Sequence, residues 1–476
     1  MSAVAQVTSI APAVSELEGL LHSQRMACRE HGIMSLAERR HHLKVLEQML
    51  LDNQDAIVEA VSKDFGNRAP QETRLLELFL SVDGIRYARR KLRKWMKPQR
   101  RGVSIWFAGA RNKVIPQPLG VVGIVTPWNY PLFLAISPLT CALAAGNRCM
   151  IKMAANSANL AALLHRLIGE NFPPELVTVV PGARGSEFSA LPFDHLLFTG
   201  SGETGKAVMG AAAKNLTPVT LELGGKSPTI IAEDYPVKKA AERFLFAKFM
   251  NAGQTCVSPD YLFIPEGKLE EFIRHAKAVV SRRYPDIESR DYTSIIDDKA
   301  YQRLVDTVAD AEAKGAKVVS LVPGSCANPA TRKLPPRILT GVTDEMRVMQ
   351  EEIFGPLLPI KTYRDLGEVI DYINDRDRPL ALYLFSNVKR TQKKVVESTM
   401  SGGVCLNEAA AHVAQHDMPF GGVGASGMGH YHAKEGFFAL SKMRPVFKQA
   451  VFPSVSLLFP PYGKRFDWIY KLMLKL

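Results

Sequence analysis

Residues 194–232 read DHLLFTGSGETGKAVMGAAAKNLTPVTLELGGKSPTIIA, in which three short apolar runs are separated by a helical stretch and by a glycine loop. Earlier in the chain, within residues 120–180, the runs GVVGIV, RCMIKM and ELVTVV also alternate with helical patterns. Such alternation is typical of a parallel sheet with helices on both faces. A second set of helical and strand patterns follows between about residues 226 and 424. The sequence therefore predicts two α/β domains, the first of them doubly wound.

The segments before this region are predicted to be mostly helical. Ser35 and Glu38 have the spacing of a capping box, and the apolar residues after them predict one long helix that ends near Gly66. A second helix is predicted over residues 72–97. Residues 103–117 are rich in β-formers but alternate poorly, so we expect an arm outside the main core.

The composition is that of an ordinary globular protein with enough residues to bury a core. The chain has 476 residues, of which 46% are hydrophobic and 22% are charged. Its six cysteines form no C-x-x-C pair and no zinc-ligand spacing, which predicts reduced thiols in the cytoplasm and no metal site. The first twenty residues have neither a basic start nor a continuous apolar run, so no export signal is expected.

Residues 114–147 contain no charged side chain, and a stretch of this length could span a bilayer. Five prolines lie within it, however, and proline interrupts helices. We therefore predict a strand at Val121–Val125, a loop, and a core helix that is stopped by Gly146, rather than a transmembrane helix.

The net charge of +13 is concentrated in one stretch, because nine lysines and arginines fall within residues 86–101. Such a cluster can attract nucleic acid or anionic lipid, so a basic binding protein is one alternative function. Only Tyr87 and Trp95 lie among these cations as residues that could stack on bases. A solvated helix face is the favoured interpretation, and no nucleic-acid partner is expected.

A glycine loop follows the first apolar run of the opening stretch. Residues from Gly200 to Lys206 read GSGETGK and nearly match a P-loop, but Ala207 stands where a P-loop has its magnesium-binding hydroxyl. A P-loop NTPase stays a second alternative. Glycines that open a helix facing an anion also suit the pyrophosphate of a dinucleotide.

A second glycine pattern, G-x-G-x-x-G at Gly422, Gly424 and Gly427, lies late in the chain. It does not occupy the first turn of a βαβ unit, which is where a dinucleotide-binding fingerprint belongs. We predict a flexible loop that packs closely against another backbone.

Two residues lie in sequence contexts that are typical of catalytic groups. Cys256, in NAGQTC, follows a helical pattern and lies among small and polar residues, so its sulfur could be accessible at a turn. Glu222, in LELGGKSP, stands where an apolar strand ends, at the edge of a sheet where ligands bind. Cys141 and Cys149 lie in apolar runs and are expected to be small buried side chains.

These two motifs, together with PWNYP at residues 127–131 and EEIFGP at 351–356, resemble those of the aldehyde dehydrogenase superfamily. The resemblance covers nearly the whole chain, and the combination of LELGGKSP with GQTC is highly specific. Within the superfamily, the chain is most similar to the class 3 branch and to its coniferyl aldehyde dehydrogenases. This implies a Rossmann-like cofactor domain, a second α/β catalytic domain, and a small β arm that joins the subunits of a homodimer.

The activity implied by the resemblance is NAD(P)-dependent oxidation of an aromatic aldehyde, with a fatty or aliphatic aldehyde as the alternative substrate. Cys256 would attack the aldehyde to form a thiohemiacetal, and Asn129 would donate a hydrogen bond to the developing oxyanion. Glu222 would then act as the general base that activates water against the resulting thioester.

The resemblance also implies a set of cofactor-binding residues. Lys152 would bind the adenosine ribose, Ser201 the pyrophosphate, and Glu352 the nicotinamide ribose. The further residues implied at the cofactor are Trp128, Gly200, Gly205, Leu223 and Phe354.

One position departs from the family pattern. The family commonly has K-P-x-E after this strand, whereas here Lys152 is followed by Met153, Ala154 and Ala155. The carboxylate that would hold the adenosine ribose is therefore missing at Ala155. Such a carboxylate would also repel the 2'-phosphate of NADP. Because Ala155 lacks this negative charge, we expect NADP to be accepted beside NAD.

Domain boundaries follow from these assignments: a cofactor domain at 1–100 and 120–222, a catalytic domain at 223–424, a bridging arm at 101–119 and 438–452, and a tail at 453–476. The tail ends in KRFDWIYKLMLKL, which predicts a short helix with cations and apolar residues interleaved. Such a helix is too short to span a membrane, but it could lie in a membrane interface or pack on the protein's own dimer. Packing on the dimer is favoured, because a single apolar stripe is more often buried against protein.

Overall fold

The computed structural model describes residues 13–475, and its strands form three sheets. The strands of this part of the chain are β1 (Gln99–Arg101), β2 (Arg111–Pro118), β3 (Val121–Val125), β4 (Arg148–Lys152), β5 (Val177–Val179), β6 (His195–Thr199), β7 (Val219–Glu222), β8 (Pro228–Ile231), β9 (Tyr261–Pro265), β10 (Lys317–Ser320), β11 (Arg337–Thr340), β12 (Leu357–Tyr363), β13 (Ala381–Phe385), β14 (Gly403–Leu406), β15 (Gly427–Met428) and β16 (Ser441–Lys448).

The α-helices of the described residues are α1 (Val14–His31), α2 (Leu36–Asp52), α3 (Gln54–Phe65), α4 (Pro70–Thr73), α5 (Leu80–Trp95), α6 (Phe133–Ala145), α7 (Ala158–Asn171), α8 (Gly185–Ser189), α9 (Gly202–Ala213), α10 (Val237–Phe249), α11 (Leu269–Arg283), α12 (Asp298–Ala313), α13 (Arg347–Gln350), α14 (Leu366–Asn374), α15 (Lys389–Ser398), α16 (Ala433–Ala439) and α17 (Lys464–Met473). A π-helical segment, Arg74–Phe79, joins α4 to α5.

Strands β6 and β7, from the stretch at residues 194–232, lie in a six-stranded sheet of order β15-β7-β6-β3-β4-β5, whereas the last strand of that stretch, β8, lies in a second sheet. All neighbours are parallel except β15, which runs antiparallel to β7. Helices α6 and α7 pack on one face, and α1, α8 and α9 pack on the other. The direction of winding reverses between β3 and β6, so the loops that follow these two strands diverge and leave a crevice at their carboxyl ends. The predicted doubly wound fold is confirmed.

A seven-stranded sheet, of order β10-β11-β12-β9-β8-β13-β14, forms the second α/β unit. Its strands are parallel except for β10. Helix α10 precedes the turn that carries Cys256, and β9 follows that turn. The second predicted α/β unit is therefore confirmed, and it supplies the cysteine to the crevice of the first sheet.

Strands β1, β2 and β16 form a small antiparallel sheet, the arm, outside both α/β units. The tail after β16 packs on the arm through a short turn, Ser454–Leu458, where Ser454 Oγ donates to the carbonyl of Trp106 over 2.7 Å. The helix that ends the tail, α17, is the predicted short helix, and none of its residues is buried.

Most element predictions in the N-terminal half are confirmed, with one correction. The Ser35–Glu38 capping box is present, β3 is the predicted strand, and α6 ends at Gly146 in the left-handed conformation. The single long helix that was predicted to end near Gly66 is wrong, because the chain breaks at Asn53 into α2 and α3. The apolar spacing continues across the break, since both helices bury the same core.

Residues 425–437, which lie outside every predicted domain range, return to the six-stranded sheet, where Gly427 pairs with Glu222. The domain boundaries themselves stay predictions. Within residues 13–475, no helix is long and apolar enough to cross a membrane. The same residues contain no group of three or more histidine, cysteine, aspartate and glutamate side chains arranged to hold a metal ion.

Candidate active site

Two cavities meet at Cys256. The first, the sheet-edge cavity, has a volume of about 850 Å³ and opens at the carboxyl ends of β6 and β7 and the loop after β3. The second, the apolar cavity, has a volume of about 640 Å³ and lies between helices α5, α6 and α10 and the loop after β14. Among the described residues, Cys256 is the one that lines both cavities. Its thiol can therefore be approached from two sides.

The structure brings nine of the eleven predicted site residues to the wall of the sheet-edge cavity: Asn129, Trp128, Gly200, Ser201, Glu222, Leu223, Cys256, Glu352 and Phe354. Gly205 and Lys152 are not part of this wall. These residues come from strand ends far apart in sequence, as expected at the crevice of an α/β sheet.

Glu222 ends β7 and is almost completely buried. Neither of its carboxylate oxygens has a hydrogen-bond partner among the described residues. Burial raises the pKa of Glu222 well above its usual value. A carboxylate whose pKa is raised by burial is a stronger base than an exposed one, which suits a general base.

The turn that carries Cys256 is held from several sides. Asn251 and Ala252 are both in the left-handed region, with φ of 52° and 51°. The backbone N–H of Asn251 donates to Glu72 Oε1 over 2.9 Å, and Gln254 Oε1 accepts from the N–H of Ile296 over 2.9 Å. These bonds fix a strained backbone in one conformation, and the position of the thiol with it.

The protein around Cys256 disfavours its thiolate. Burial, and after it the negative charges of Glu352 and Glu222, raise the pKa of the Cys256 thiol to about 12. The thiol is therefore protonated at neutral pH until a base or a nearby positive charge stabilises the thiolate.

Asn129 lies on the loop after β3, and its backbone is held by a buried ion pair. Arg68 Nη1 donates to Glu77 Oε1 and to the carbonyl of Asn129, each over 2.8 Å. Glu77 Oε2 accepts the backbone N–H groups of Leu132 and Phe133, at the first turn of α6, over 2.7 and 3.2 Å. The Asn129 side chain donates from Nδ2 to the carbonyl of Gln254 over 3.3 Å. The loop and the cysteine turn are thus bonded directly to each other.

Aromatic rings and a carboxylate form the far wall of the sheet-edge cavity. Trp128 stands between Phe65 and Phe354, with ring centroids 6.0 and 5.4 Å apart. Burial raises the pKa of Glu352 to about 8, and the Glu352 carboxylate lies so close to Gly224 that any side chain at 224 would collide with it. The wall therefore offers flat apolar surface beside the Glu352 carboxylate.

The helix that begins after β6 presents its N-terminus to the cavity. Ser201 caps α9, where its Oγ accepts from the N–H of Thr204 over 3.4 Å. Gly205 lies one turn further along, under Leu223, where a Cβ would come within 2.7 Å of the Leu223 side chain. Gly205 thus shapes the cavity by close packing and does not line it.

Lys152 is not brought into the cavity with the other predicted residues. It ends β4, is half-buried, and burial lowers its pKa. Its carbonyl accepts the N–H of Thr126, at the start of the Asn129 loop, over 2.9 Å. The predicted contact of Lys152 with a ribose stays a prediction.

The late glycine pattern proves to be part of the same wall. Gly424 and Gly427 line the sheet-edge cavity, and a Cβ at Gly427 would collide with the carbonyl of Leu221. The N–H of Leu223 donates to the carbonyl of Ser426 over 3.1 Å. The predicted close packing against another backbone is confirmed, but the sequence did not indicate that this loop closes the site.

The apolar cavity was not predicted at all. Five aromatic side chains from distant parts of the chain line it, namely Phe79, Tyr130, Phe133, Phe246 and Phe420. Its charged lining residues are Glu242, Arg243, Arg283 and Glu408. No local motif indicates these positions, because the cavity forms only when five separate segments pack together.

One atom of the apolar cavity has an unused hydrogen-bonding capacity. Arg283 Nη2 donates to the carbonyl of Glu242 over 2.6 Å, while Arg283 Nη1 is buried without a partner among the described residues. Burial also lowers the pKa of Arg283. A buried donor of this kind favours a ligand that carries an acceptor oxygen.

Comparisons with known proteins agree with this arrangement. Residues 7–446 match the model of the "Aldehyde dehydrogenase family". A "Probable coniferyl aldehyde dehydrogenase" of Pseudomonas aeruginosa is 49% identical over 97% of both chains. A "Coniferyl aldehyde dehydrogenase" of Pseudomonas sp. strain HR199 is 43% identical over 96% of both.

A solved structure has the same fold as this chain. The substrate-bound state of Staphylococcus aureus AldH superposes with a TM-score of 0.91 at 34% identity, covering 96% of this chain and 99% of that one. The sequence matches and this superposition both extend across the two α/β units and the arm. The chain belongs to the aldehyde dehydrogenase family.

Proposed function

We propose that this chain is an NAD(P)-dependent aldehyde dehydrogenase that oxidises an aromatic aldehyde of the coniferyl type to the carboxylic acid. The observation that carries the proposal is that Cys256 alone, among the described residues, lines both the apolar cavity and the sheet-edge cavity. An aromatic ring fits the apolar side, and its carbonyl would then reach the thiol. The names of the two Pseudomonas relatives support this substrate class.

The residues of the sheet-edge cavity fit a nicotinamide dinucleotide. Thr199 Oγ1 and both oxygens of Glu222 are buried there without partners among the described residues, as expected of a cavity that receives a polar ligand. The N-terminus of α9, capped by Ser201, suits a pyrophosphate, and Glu352 suits ribose hydroxyls. When bound, the nicotinamide supplies the acceptor for hydride.

In the first step, Cys256 attacks the aldehyde. The Cys256 thiol gives its proton to the carboxylate of Glu222 in the same cavity, from which it passes to solvent. A bond then forms between the thiolate Sγ and the carbonyl carbon, and the π electron pair moves to the oxygen to give a thiohemiacetal oxyanion. The Asn129 amide has two N–H donors, of which one points to Gln254, so the other is free for the oxyanion. The backbone N–H of Cys256 supplies a second donor.

In the second step, Glu222 activates water. Once the hydride has left the tetrahedral carbon, the adduct is a thioester of Cys256. Glu222 takes a proton from water, the water oxygen bonds to the thioester carbon, and the thiolate leaves with the C–S electron pair. The carboxylic acid is released, and the cysteine is ready for the next turnover.

The proposed assembly is a cytoplasmic homodimer joined through the arm. Strands β16 and β14 are edge strands of their sheets, and an edge strand readily pairs with another chain. All six cysteines are free, which is usual in a reducing compartment. Light scattering during size-exclusion chromatography would give twice the chain mass of 52.6 kDa for the dimer.

A spectrophotometric assay tests the function directly. We expect NADH formation at 340 nm with coniferyl aldehyde and a lower rate with an aliphatic aldehyde of equal length. Phosphate release from ATP, or salt-sensitive DNA binding, in a preparation that forms no NADH would overturn the proposal in favour of an NTPase or a basic binding protein.

Cofactor choice depends on the turn after β4. Ala155 is exposed at the start of the turn Ala155–Ser157, where a carboxylate could hold a ribose and repel a 2'-phosphate. We expect the wild type to use NADP measurably, and Ala155→Glu to shift the ratio of kcat/KM values toward NAD by roughly tenfold. Ala158→Glu, which adds the same charge at an exposed position nearby, is the matched control. Equal ratios in all three proteins would show that the ribose is recognised elsewhere.

A further inference from the structure

The positive charge of this protein is concentrated in the arm and tail, defined here as the arm–tail module, residues 97–118 and 441–475. The module has a single carboxylate, Asp467, against twelve cations: Lys97, Arg100, Arg101, Arg111, Lys113, Lys442, Arg444, Lys448, Lys464, Arg465, Lys471 and Lys475. It therefore carries eleven of the thirteen net positive charges of the chain. The two α/β units are close to neutral.

The register of the arm places many of these cations on one face. Arg100 is paired with Lys113, Lys113 with Val446, and Arg111 with Lys448, so their side chains point to the same side of the sheet. Arg444 and Lys442 follow on that side, opposite Ile115 and Gln117. All six cations are exposed, and no carboxylate lies on this face. Like charges this close repel one another, so the face favours an anionic partner.

The tail adds apolar surface that no part of the described chain covers. Val451 is 89% exposed, Phe452 91%, Trp468 67% and Leu474 70%. On α17, Lys464, Trp468 and Leu472 are four residues apart and share one exposed side of the helix. Cations that flank tryptophan and leucine on one side are typical of a helix that lies in a membrane interface.

Two other occupants fit these residues less well. A second copy of this chain, which in the proposed dimer pairs with the edge of β16, offers the face of the arm and the tail no excess of negative charge, because its α/β units are nearly neutral and its own module is positive. Nucleic acid would satisfy the cations but would leave exposed aliphatic residues such as Val451 and Leu474 in water. A bilayer that contains anionic lipid satisfies both the charge and the apolar side chains.

We propose that the arm–tail module binds the surface of an anionic lipid bilayer. Helix α17 lies in the interface with Trp468 and Leu472 among the lipid chains, and the cations of the arm attract the protein to the lipid headgroups. The helix has ten residues, so it lies on the membrane and does not cross it. Catalysis then takes place beside a surface where apolar aldehydes collect.

The test measures co-sedimentation of the full chain with vesicles. We expect binding to phosphatidylcholine vesicles with roughly 30 mol% phosphatidylserine, and at least about tenfold weaker binding to pure phosphatidylcholine or at high salt. The variant Lys464→Glu/Arg465→Glu/Lys471→Glu/Lys475→Glu should lose about tenfold or more in binding. Trp468→Ser/Leu472→Ser, which keeps every charge, should lose about fivefold or more.

The matched control is Lys238→Glu/Lys239→Glu/Lys389→Glu/Arg390→Glu, which makes the same change in net charge at exposed sites of the α/β units. It should keep vesicle binding within about twofold, and every variant should keep its aldehyde oxidation rate in solution.

Absence of wild-type binding, or equal loss in the control, would overturn the proposal. Unchanged vesicle binding by the tail variants together with a change from dimer to monomer would assign the tail to a second copy. Preferential binding of a DNA duplex would assign the cations to nucleic acid.

Discussion

The two cavities that meet at Cys256 use opposite chemistries. The sheet-edge cavity has the buried, unpartnered carboxylate of Glu222 and the raised-pKa carboxyl of Glu352 in its wall. The apolar cavity is lined near the thiol by Tyr130, Phe133 and neighbouring apolar residues. In the proposed function, the carboxylates that act in catalysis therefore lie on one side of the sulfur, and the substrate is recognised on the other side mainly by shape, although four charged side chains also line that cavity.

The largest effect is expected from variants of the residues proposed for the two catalytic steps. Cys256→Ala should reduce aldehyde oxidation by about 10⁴-fold or more, because no adduct forms. Glu222→Gln should allow a first burst of one NADH per site and then stall at the thioester, because no base remains to activate water. Stopped-flow absorbance at 340 nm and intact-protein mass spectrometry distinguish the two variants. Normal steady-state turnover in either one would contradict the assignment.

A second test addresses the buried Arg68–Glu77 ion pair, which holds the backbone of Asn129, the proposed oxyanion donor. Glu77→Gln removes the carboxylate that pairs with the buried guanidinium of Arg68, leaving only the more distant Glu72, and loosens the Asn129 loop. We expect the free energy of unfolding to fall by about 3 kcal/mol. We also expect kcat to fall by about tenfold or more with little change in KM, because the oxyanion contact forms only in the transition state.

The matched control for this variant is Asp55→Asn, which breaks the exposed Arg74–Asp55 pair on the same side of the molecule. It should change the free energy of unfolding by less than about 1 kcal/mol and leave kcat unchanged. If Glu77→Gln lost stability but kept its kcat, the ion pair would have no part in positioning Asn129.

These residues also show which parts of the site can be read from a sequence. Glu222 and Cys256 lie in local motifs, and the element before each motif is visible in the sequence, as an apolar run before Glu222 and as a helical pattern before Cys256. Arg68 and Glu77 gave no such indication, since their partners lie more than fifty residues away in the loop after β3. The break at Asn53 was missed for a related reason, because an apolar period that continues through two helices does not mark where one ends.

A third test sharpens the apolar side of the comparison. Arg283→Met removes the one buried donor of that cavity that has no partner among the described residues, and it nearly keeps the side-chain volume. We expect kcat/KM for coniferyl aldehyde to fall by about tenfold, since its phenol and methoxy oxygens lose a donor, whereas cinnamaldehyde, which lacks both groups, should change by less than about twofold. Arg282→Met, at the exposed neighbouring position, is the control. Equal losses with both aldehydes would show that Arg283 only supports the fold.

The smallest effect we expect is a shift in the pKa of the Cys256 thiol, the group at which the two cavities meet. Because the charges of Glu352 and Glu222 add to burial in raising the pKa of Cys256, removing either charge should lower that pKa. In Glu352→Gln, the midpoint of the pH profile for iodoacetamide alkylation of Cys256, followed by peptide mass spectrometry, should move down by roughly half a unit to one unit. Glu222→Gln should move it in the same direction by less, because its charge acts less strongly on the sulfur. Glu351→Gln changes a carboxylate of the same cavity that is not among the main causes of the raised Cys256 pKa, so its midpoint should stay close to that of the wild type. A midpoint that rose in Glu352→Gln would mean that this carboxylate stabilises the thiolate indirectly, and the separation of charge from substrate at the sulfur would then have to be abandoned.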